Sequence, residues 1–254
     1  MTASTADKVA WVTGAGKGIG RALSKRLADE GWTVAVSART SEDLHDLADE
    51  CESDHIHPYP LDVTDPGSVE ETVRQIEANL GPIDLAVLNA GTHAPLSATD
   101  FAVEPFRKLV ETNLMGPANC LAPLISCMIE RQGGHIAVVG SVAGYRGLPT
   151  AAAYGATKAG VINMCEALRP ELERHGVRLT LVNPGFVETP LTDKNDFPMP
   201  FLIPVDKAVD YIVRGLEGST FEVAFPRRFA FLMKLLRILP DGLFFMVTRR
   251  MVRE

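Results

Sequence analysis

The chain has 254 residues, a formal net charge of −7, 46% apolar and 22% charged side chains; such a composition can bury a sizeable core and is unlike that of a disordered segment. The acidic balance argues against nucleic acid as a partner, because binding phosphates needs clustered Lys and Arg. Four scattered cysteines, Cys51, Cys120, Cys127 and Cys165, lack CxxC or Cys/His ligand spacing, so free thiols are expected and no metal site.

Residues 1–7 show neither the basic start nor the apolar run of a signal peptide, which predicts a cytoplasmic protein. From there, Val/Ala/Leu-rich runs at 9–13, 33–37, 56–61, 85–89, 135–140 and 177–182 read as buried strands. Between them, helical periodicity recurs at 19–29, 42–50, 68–80, 105–115 and 157–174. Parallel neighbours need a crossover, and helices are the usual one, so this alternation predicts an α/β fold with a doubly wound parallel sheet of about seven strands. No linker, repeat or low-complexity tract interrupts it, and the whole of 1–254 is expected to be one domain.

The first strand runs into Gly14, Gly16, Lys17, Gly18, Ile19 and Gly20, then a helix. Glycines there let the backbone turn sharply and approach a pyrophosphate seated on free N–H groups at the helix N-terminus. A tight turn without a ligand is the alternative for these residues alone. Dinucleotide folds selective for NAD carry a carboxylate near the end of the second strand for the ribose 2′-hydroxyl. Here Ser37-Ala38-Arg39 offers none. Arg39 instead supplies a planar donor fork, and Lys17 a second cation, both suited to a 2′-phosphate. The cofactor expected is NADP(H); two solvated surface cations are the alternative.

Tyr154 and Lys158 stand at i and i+4, so one helix face presents both. A phenol with an ordinary pKa near ~10 is a poor base at neutral pH, and an adjacent ammonium is expected to lower that value and make the pair a proton carrier. By spacing alone, which arises often by chance, an amphipathic helix with an exposed Lys and a half-buried Tyr is the preferred reading. Ser141 follows an apolar strand, at the edge where open α/β sheets bind ligands, and its hydroxyl can meet a substrate carbonyl or cap the next turn. Gly155 inside the predicted helix suggests close approach of a backbone or cofactor, and Pro170 predicts a kink or break near Arg169.

With Thr13–Gly20, Leu61-Asp62-Val63, Asn89-Ala90-Gly91, Asn113, Ser141, Tyr154/Lys158 and Asn183-Pro184-Gly185 with Thr189, residues 8–190 resemble the short-chain dehydrogenase/reductase family in its compact, single-domain, NADP-preferring branch. The resemblance implies a Rossmann-like fold and a homodimer or homotetramer. It also implies a catalytic tetrad of Asn113, Ser141, Tyr154 and Lys158. In that scheme Tyr154 exchanges the proton, Ser141 positions the substrate oxygen, Lys158 lowers the Tyr pKa and binds the nicotinamide ribose, and Asn113 holds a relay water. Asp62 and Val63 are implied as adenine contacts, and Asn89, Ala90 and Gly91 as the strand end beneath the cofactor. Pro184, Gly185, Val187 and Thr189 are implied to flank the nicotinamide. Lys17 and Arg39 resemble the family's basic pair in its NADP-preferring members.

Substrate choice is expected from loops 93–99, 142–149 and 190–204. The last contains Phe197, Met199, Phe201 and Leu202, which predicts an apolar pocket, and His93 is expected as a polar rim residue rather than a further acid/base. Seven basic against three acidic residues from Phe221 to Glu254 put +4 on this C-terminal part and −11 on the remainder. Residues 225–240 are expected to form a helix with Arg227, Lys234 and Arg237 on one stripe, and 243–253 a second piece after a break at Asp241-Gly242. Neither is long and charge-free enough to span a bilayer. The arm packs in a subunit interface or over the substrate pocket, rests on an anionic membrane surface, or is disordered. The function expected is NADP(H)-dependent interconversion of a carbonyl and an alcohol on an apolar substrate. The rival readings are a nucleotide-binding regulatory protein without turnover and a cofactor-free scaffold.

Overall fold

The computed structural model describes residues 8–51, 54–194 and 198–252. Seven parallel strands form one sheet in the order β3-β2-β1-β4-β5-β6-β7. They are β1 (Val9–Thr13), β2 (Thr33–Ser37), β3 (Ile56–Pro58), β4 (Ile83–Leu88), β5 (Gly134–Val139), β6 (Val177–Pro184) and β7 (Glu222–Phe225). The chain begins mid-sheet, winds out to β3 and returns to β4 on the other side of β1. That reversal leaves a cleft beyond the carboxyl ends of β1 and β4, where ligands bind in such sheets.

Strand alternation divides the core in two. Val9 and Trp11 belong to the layer under α3 (Pro66–Leu80), α5 (Gly116–Glu130) and α6 (Ala152–Arg174). Ala10 and Val12 belong to the layer under α1 (Gly18–Asp29), α2 (Ser41–Asp49) and α7 (Val205–Glu217). A strand buried on both faces needs a continuous apolar run, which is what these sequences show.

Several boundaries differ from those expected. β3 ends at Pro58 rather than 61, since Pro60 has no N–H for the ladder, although the amides of Tyr59 and Leu61 still donate to Val36 and Ala38. The segment expected as one helix over 105–115 is α4 (Val103–Val110) followed by a π-turn, Glu111–Met115, which runs directly into α5. Pro117 and Pro123 hid α5 from a reading by periodicity; Pro117 sits in its first turn, where no donor is lost. Pro170 does not break α6, which continues to Arg174. It lies on the exposed side, so water can take the carbonyl it leaves unbonded. The backbone approach suggested by Gly155 is real: a Cβ there would lie 3.3 Å from the Ala143 carbonyl oxygen.

The C-terminal arm is α8 (Arg227–Ile238) and α9 (Asp241–Thr248), ending in a short 3-10 turn. Its break falls at Leu239-Pro240, not at Asp241-Gly242, because the residue before a proline is driven out of the helical region. Arg146, in the loop after β5, holds this corner. Its guanidinium donates to the Leu236, Arg237 and Leu239 carbonyls, pairs with Asp241 at 2.6 Å and lies 3.8 Å over the Phe244 ring. Replacing Arg146 with Ala removes a stacked cation and several charge-assisted bonds, so the arm should open more readily by about 2 kcal/mol. Amide hydrogen exchange should quicken across 227–251 and stay unchanged in β1 and β4; uniform or absent change would contradict this anchoring.

Candidate active site

The glycine turn forms a cradle at the cleft. Gly14 and Gly18 have φ of +66° and +58°. A Cβ on Gly14 would lie 2.8 Å from Ala90 Cα, and one on Gly20 would lie 2.4 Å from the Gly14 oxygen. Any side chain there would push β1 and α1 apart. Lys17, at the N-cap of α1, makes no side-chain cap, and no acidic residue occupies the first turn. The Asn89 side chain donates to the Thr13 and Gly14 carbonyls, while the Thr13 hydroxyl accepts from the Asn89 and Ala90 amides. Asn89 therefore straps β4 to the turn. Ile19 opens the helix that the turn feeds, and Thr189 closes the far side, its Cγ2 lying 3.2 Å from where a Gly18 Cβ would be. This glycine cradle at the N-terminus of α1 fits a dinucleotide pyrophosphate.

Arg39 is exposed just past β2, with no ion-pair partner among the described residues. Lys17 is also exposed and pairs at 3.3 Å with Asp43 in the first turn of α2. Asp43 went unnoticed in the sequence, because helix geometry rather than spacing brings it to the turn. Asp62 is exposed and accepts from the Thr64 amide and hydroxyl, while Val63 is buried beside it. Val187 is buried after the Pro184-Gly185 strand end, and the Thr189 hydroxyl donates to its carbonyl at 3.3 Å.

Across the cleft, Ser141, Tyr154, Lys158 and Asn113 come together from three elements. Ser141 caps a 3-10 turn, its Oγ accepting from the Ala143 amide at 3.1 Å and donating to the Pro184 carbonyl at 3.4 Å, and it draws the Tyr154 pKa down. Lys158 is only 4% exposed and donates to the Val139 carbonyl at 2.8 Å. Asn113, in the π-turn, accepts from the Thr92 amide and donates to the Thr92 carbonyl, each at 2.8 Å, and donates to Thr157 Oγ1 at 3.3 Å. Thr157, which the motifs do not mark, ties Asn113 to α6 through the Tyr154 carbonyl. A Cβ on Gly91 would lie 3.4 Å from Asn113 Oδ1 and 3.7 Å from Lys158 Nζ, so the end of β4 is the floor of this group.

A family model described as short chain dehydrogenase matches residues 8–198. The chain belongs to the short-chain dehydrogenase family. It is 38% identical over 246 residues to an uncharacterized oxidoreductase of Myxococcus xanthus, covering 96% of this chain and 97% of that one. It is 32% identical over 192 residues to an uncharacterized oxidoreductase of Staphylococcus aureus, covering 76% and 83%. Among solved structures, a short-chain dehydrogenase from Streptomyces avermitilis superposes with a TM-score of 0.82 at 26% identity over 97% of this chain and 96% of that one. A single-substitution variant of the actinorhodin polyketide ketoreductase, with NADPH, gives 0.78 at 28% identity over 86% and 95%. The chain is thus a short-chain dehydrogenase in family and fold, and the family uses NAD(P).

One expectation about this short-chain dehydrogenase is not met: Lys158 does not lower the Tyr154 pKa. Its ammonium lies 5.8 Å from the phenol ring centroid and is turned to Val139. Burial raises the Tyr154 pKa against a smaller downward pull from Ser141, and burial lowers Lys158 to about 8. His93 meets Tyr154 edge-on, ring centroids 4.7 Å apart. Phe197 lies outside the described residues. The apolar wall is made instead by Phe186, Phe201 and Phe229, with centroid separations of 5.5 Å (Phe186–Phe229) and 5.9 Å (Phe201–Phe229). Phe229, from α8, packs where a Gly185 Cβ would stand, so the arm reaches the strand end beside the site, a contribution no local motif signals. A cavity of 370 Å³ beneath α8 is separate from it, lined by Tyr145, Glu222 and Lys234 among others, which bond to one another.

Lys158 has a pH signature. Its folded pKa lies below its unfolded value, so the charged form opposes folding; that penalty is full below about pH 8 and relieved as pH rises toward the unfolded value. The stability difference between the native chain and Lys158→Met should shift in favour of the native chain by about 2 kcal/mol between pH 8 and 10. Urea unfolding at the two pH values measures this, and a shift of opposite sign would refute it.

Proposed function

We propose that this chain is an NADP(H)-dependent oxidoreductase that interconverts a carbonyl and an alcohol on an apolar substrate, with Tyr154 as acid/base. The observation that carries the reading is the gathering of Ser141, the Tyr154 phenol, Asn113 and the buried Lys158 at the cleft end of β5, with Gly91 as their floor. Bound nicotinamide would supply the hydride for reduction or accept it in oxidation. Burial keeps the Tyr154 phenol protonated at neutral pH, which suits it to donate a proton to a carbonyl oxygen. The Ser141 hydroxyl at the end of β5 would hold that oxygen within reach. Lys158 would bind the nicotinamide ribose and stabilise the phenolate once the proton has left; Asn113 would organise the proton path behind it.

The three stacked phenylalanines support an apolar substrate. Arg39 and Lys17 support NADP(H), since exposed ion pairs such as Lys17–Asp43 contribute little and yield readily to a phosphate. Arg39→Ala should reduce the preference for NADPH over NADH, measured as the ratio of kcat/KM values, by about tenfold or more. An unchanged ratio would remove Arg39 from cofactor selection. Tyr154→Phe should lower kcat by about 10²–10⁴-fold on an apolar ketone while NADPH still raises the melting temperature. Full activity in that variant would sink the mechanism, whereas NADPH binding without turnover of any carbonyl by the native chain would favour the regulatory reading.

A further inference from the structure

The arm leaves on the surface what most chains bury. Of the fifteen large apolar side chains exposed among the described residues, ten lie between Phe231 and Val252. In α8, Ala230 and Met233 turn inward, whereas Phe231, Leu235 and Ile238 form an outward stripe at i, i+4 and i+7. Ile238 is 75% and Phe231 68% exposed. α9 repeats the pattern: Phe244 and Thr248 are buried, Phe245 and Met246 are not. Exposed arginines stand at the ends of these helices, Arg227 and Arg228 at the start of α8 and Arg249 and Arg250 after α9.

Charge selects the occupant. Residues 221–254, which contain the arm, carry +4 and the rest of the chain −11. A second copy docking arm to arm through a two-fold axis would set one basic arm against another, and docking arm to acidic body is heterologous, continuing into rings or fibres. An anionic lipid surface satisfies both halves of the pattern: apolar side chains enter the acyl boundary while arginines meet headgroup phosphates. The acidic remainder is repelled, which orients the molecule. No helix among the described residues is long and apolar enough to cross a membrane, so such contact is peripheral.

We propose that the outward face of α8 and α9 is a seat for an anionic membrane surface. Phe229 links this face to the site, since it leaves α8 on the inward side to stack on Phe186 and Phe201. The seat therefore brings the substrate wall to the lipid boundary; only this consequence rests on the apolar-substrate reading.

The test is co-sedimentation of the full chain with phosphatidylcholine vesicles containing or lacking phosphatidylglycerol, without cofactor or substrate, so its outcome is independent of turnover. Binding is expected at low salt, only with the anionic lipid, and should fall as salt rises. The pairs Phe231→Ser/Ile238→Ser and Arg249→Gln/Arg250→Gln should each weaken it by about tenfold or more. Both should keep their NADPH-induced rise in melting temperature, which shows that they fold. Absence of binding to anionic vesicles, or equal binding to neutral ones, overturns the proposal. So does a dimer, seen by sedimentation velocity without vesicle binding, that the same substitutions dissociate.

Discussion

An ammonium held almost wholly out of water is the constraint around which this site is arranged. Lys158 is charged at neutral pH yet has a backbone carbonyl, that of Val139, as its bonded partner. Placing a charge there costs free energy unless its surroundings compensate. The compensation is positional. β5 must end where its last carbonyl faces α6, and the loop carrying Ser141 must lie flat on that helix. Gly144 permits this, since a Cβ on it would lie 2.7 Å from the Lys158 carbonyl carbon. The phenol, Ser141 and Lys158 thereby share one small volume, in which burial holds the proton on Tyr154 against the weaker downward pull of Ser141.

The other side of the cleft follows from topology. The order β3-β2-β1-β4 puts the first glycine turn beside the end of β4, and Asn89 and Thr13 lock these two ends together. Gly91, two residues further on, then stands against Asn113 and Lys158. The glycine cradle and the Asn113–Lys158 group are thus joined through one short stretch of chain. A disturbance at Asn89 would be felt at both.

The arm adds a third layer. Arg146 ties its corner to the loop that begins at Ser141, and Phe229 reaches Gly185 and the phenylalanine wall. α8 therefore has two different faces: one completes the stack of Phe186, Phe201 and Phe229, the other meets solvent with an apolar stripe flanked by basic residues. An arm built only to close a pocket would have no reason to keep Phe231 and Ile238 outside.

Much of this was legible in the sequence, because motifs fixed by local backbone geometry survive without knowledge of the fold. The Gly14–Gly20 turn, the i, i+4 spacing of Tyr154 and Lys158 and the strand-end position of Ser141 all belong to that class, as do the alternating strands and helices. Periodicity failed where prolines obscured it, at α5 and Pro170, since whether a proline breaks a helix depends on which carbonyl is exposed. It also missed β7, whose four residues are a strand only because β6 is there to pair with them. The Tyr154 pKa was misjudged for a related reason: spacing shows that two side chains share a face, whereas burial decides which direction each is shifted. Chain order and chemical type were thus determined by the sequence. The contacts of Asp43, Thr157, Arg146 and Phe229 were decided only by tertiary structure, because each spans elements whose separation along the chain carries no local signal.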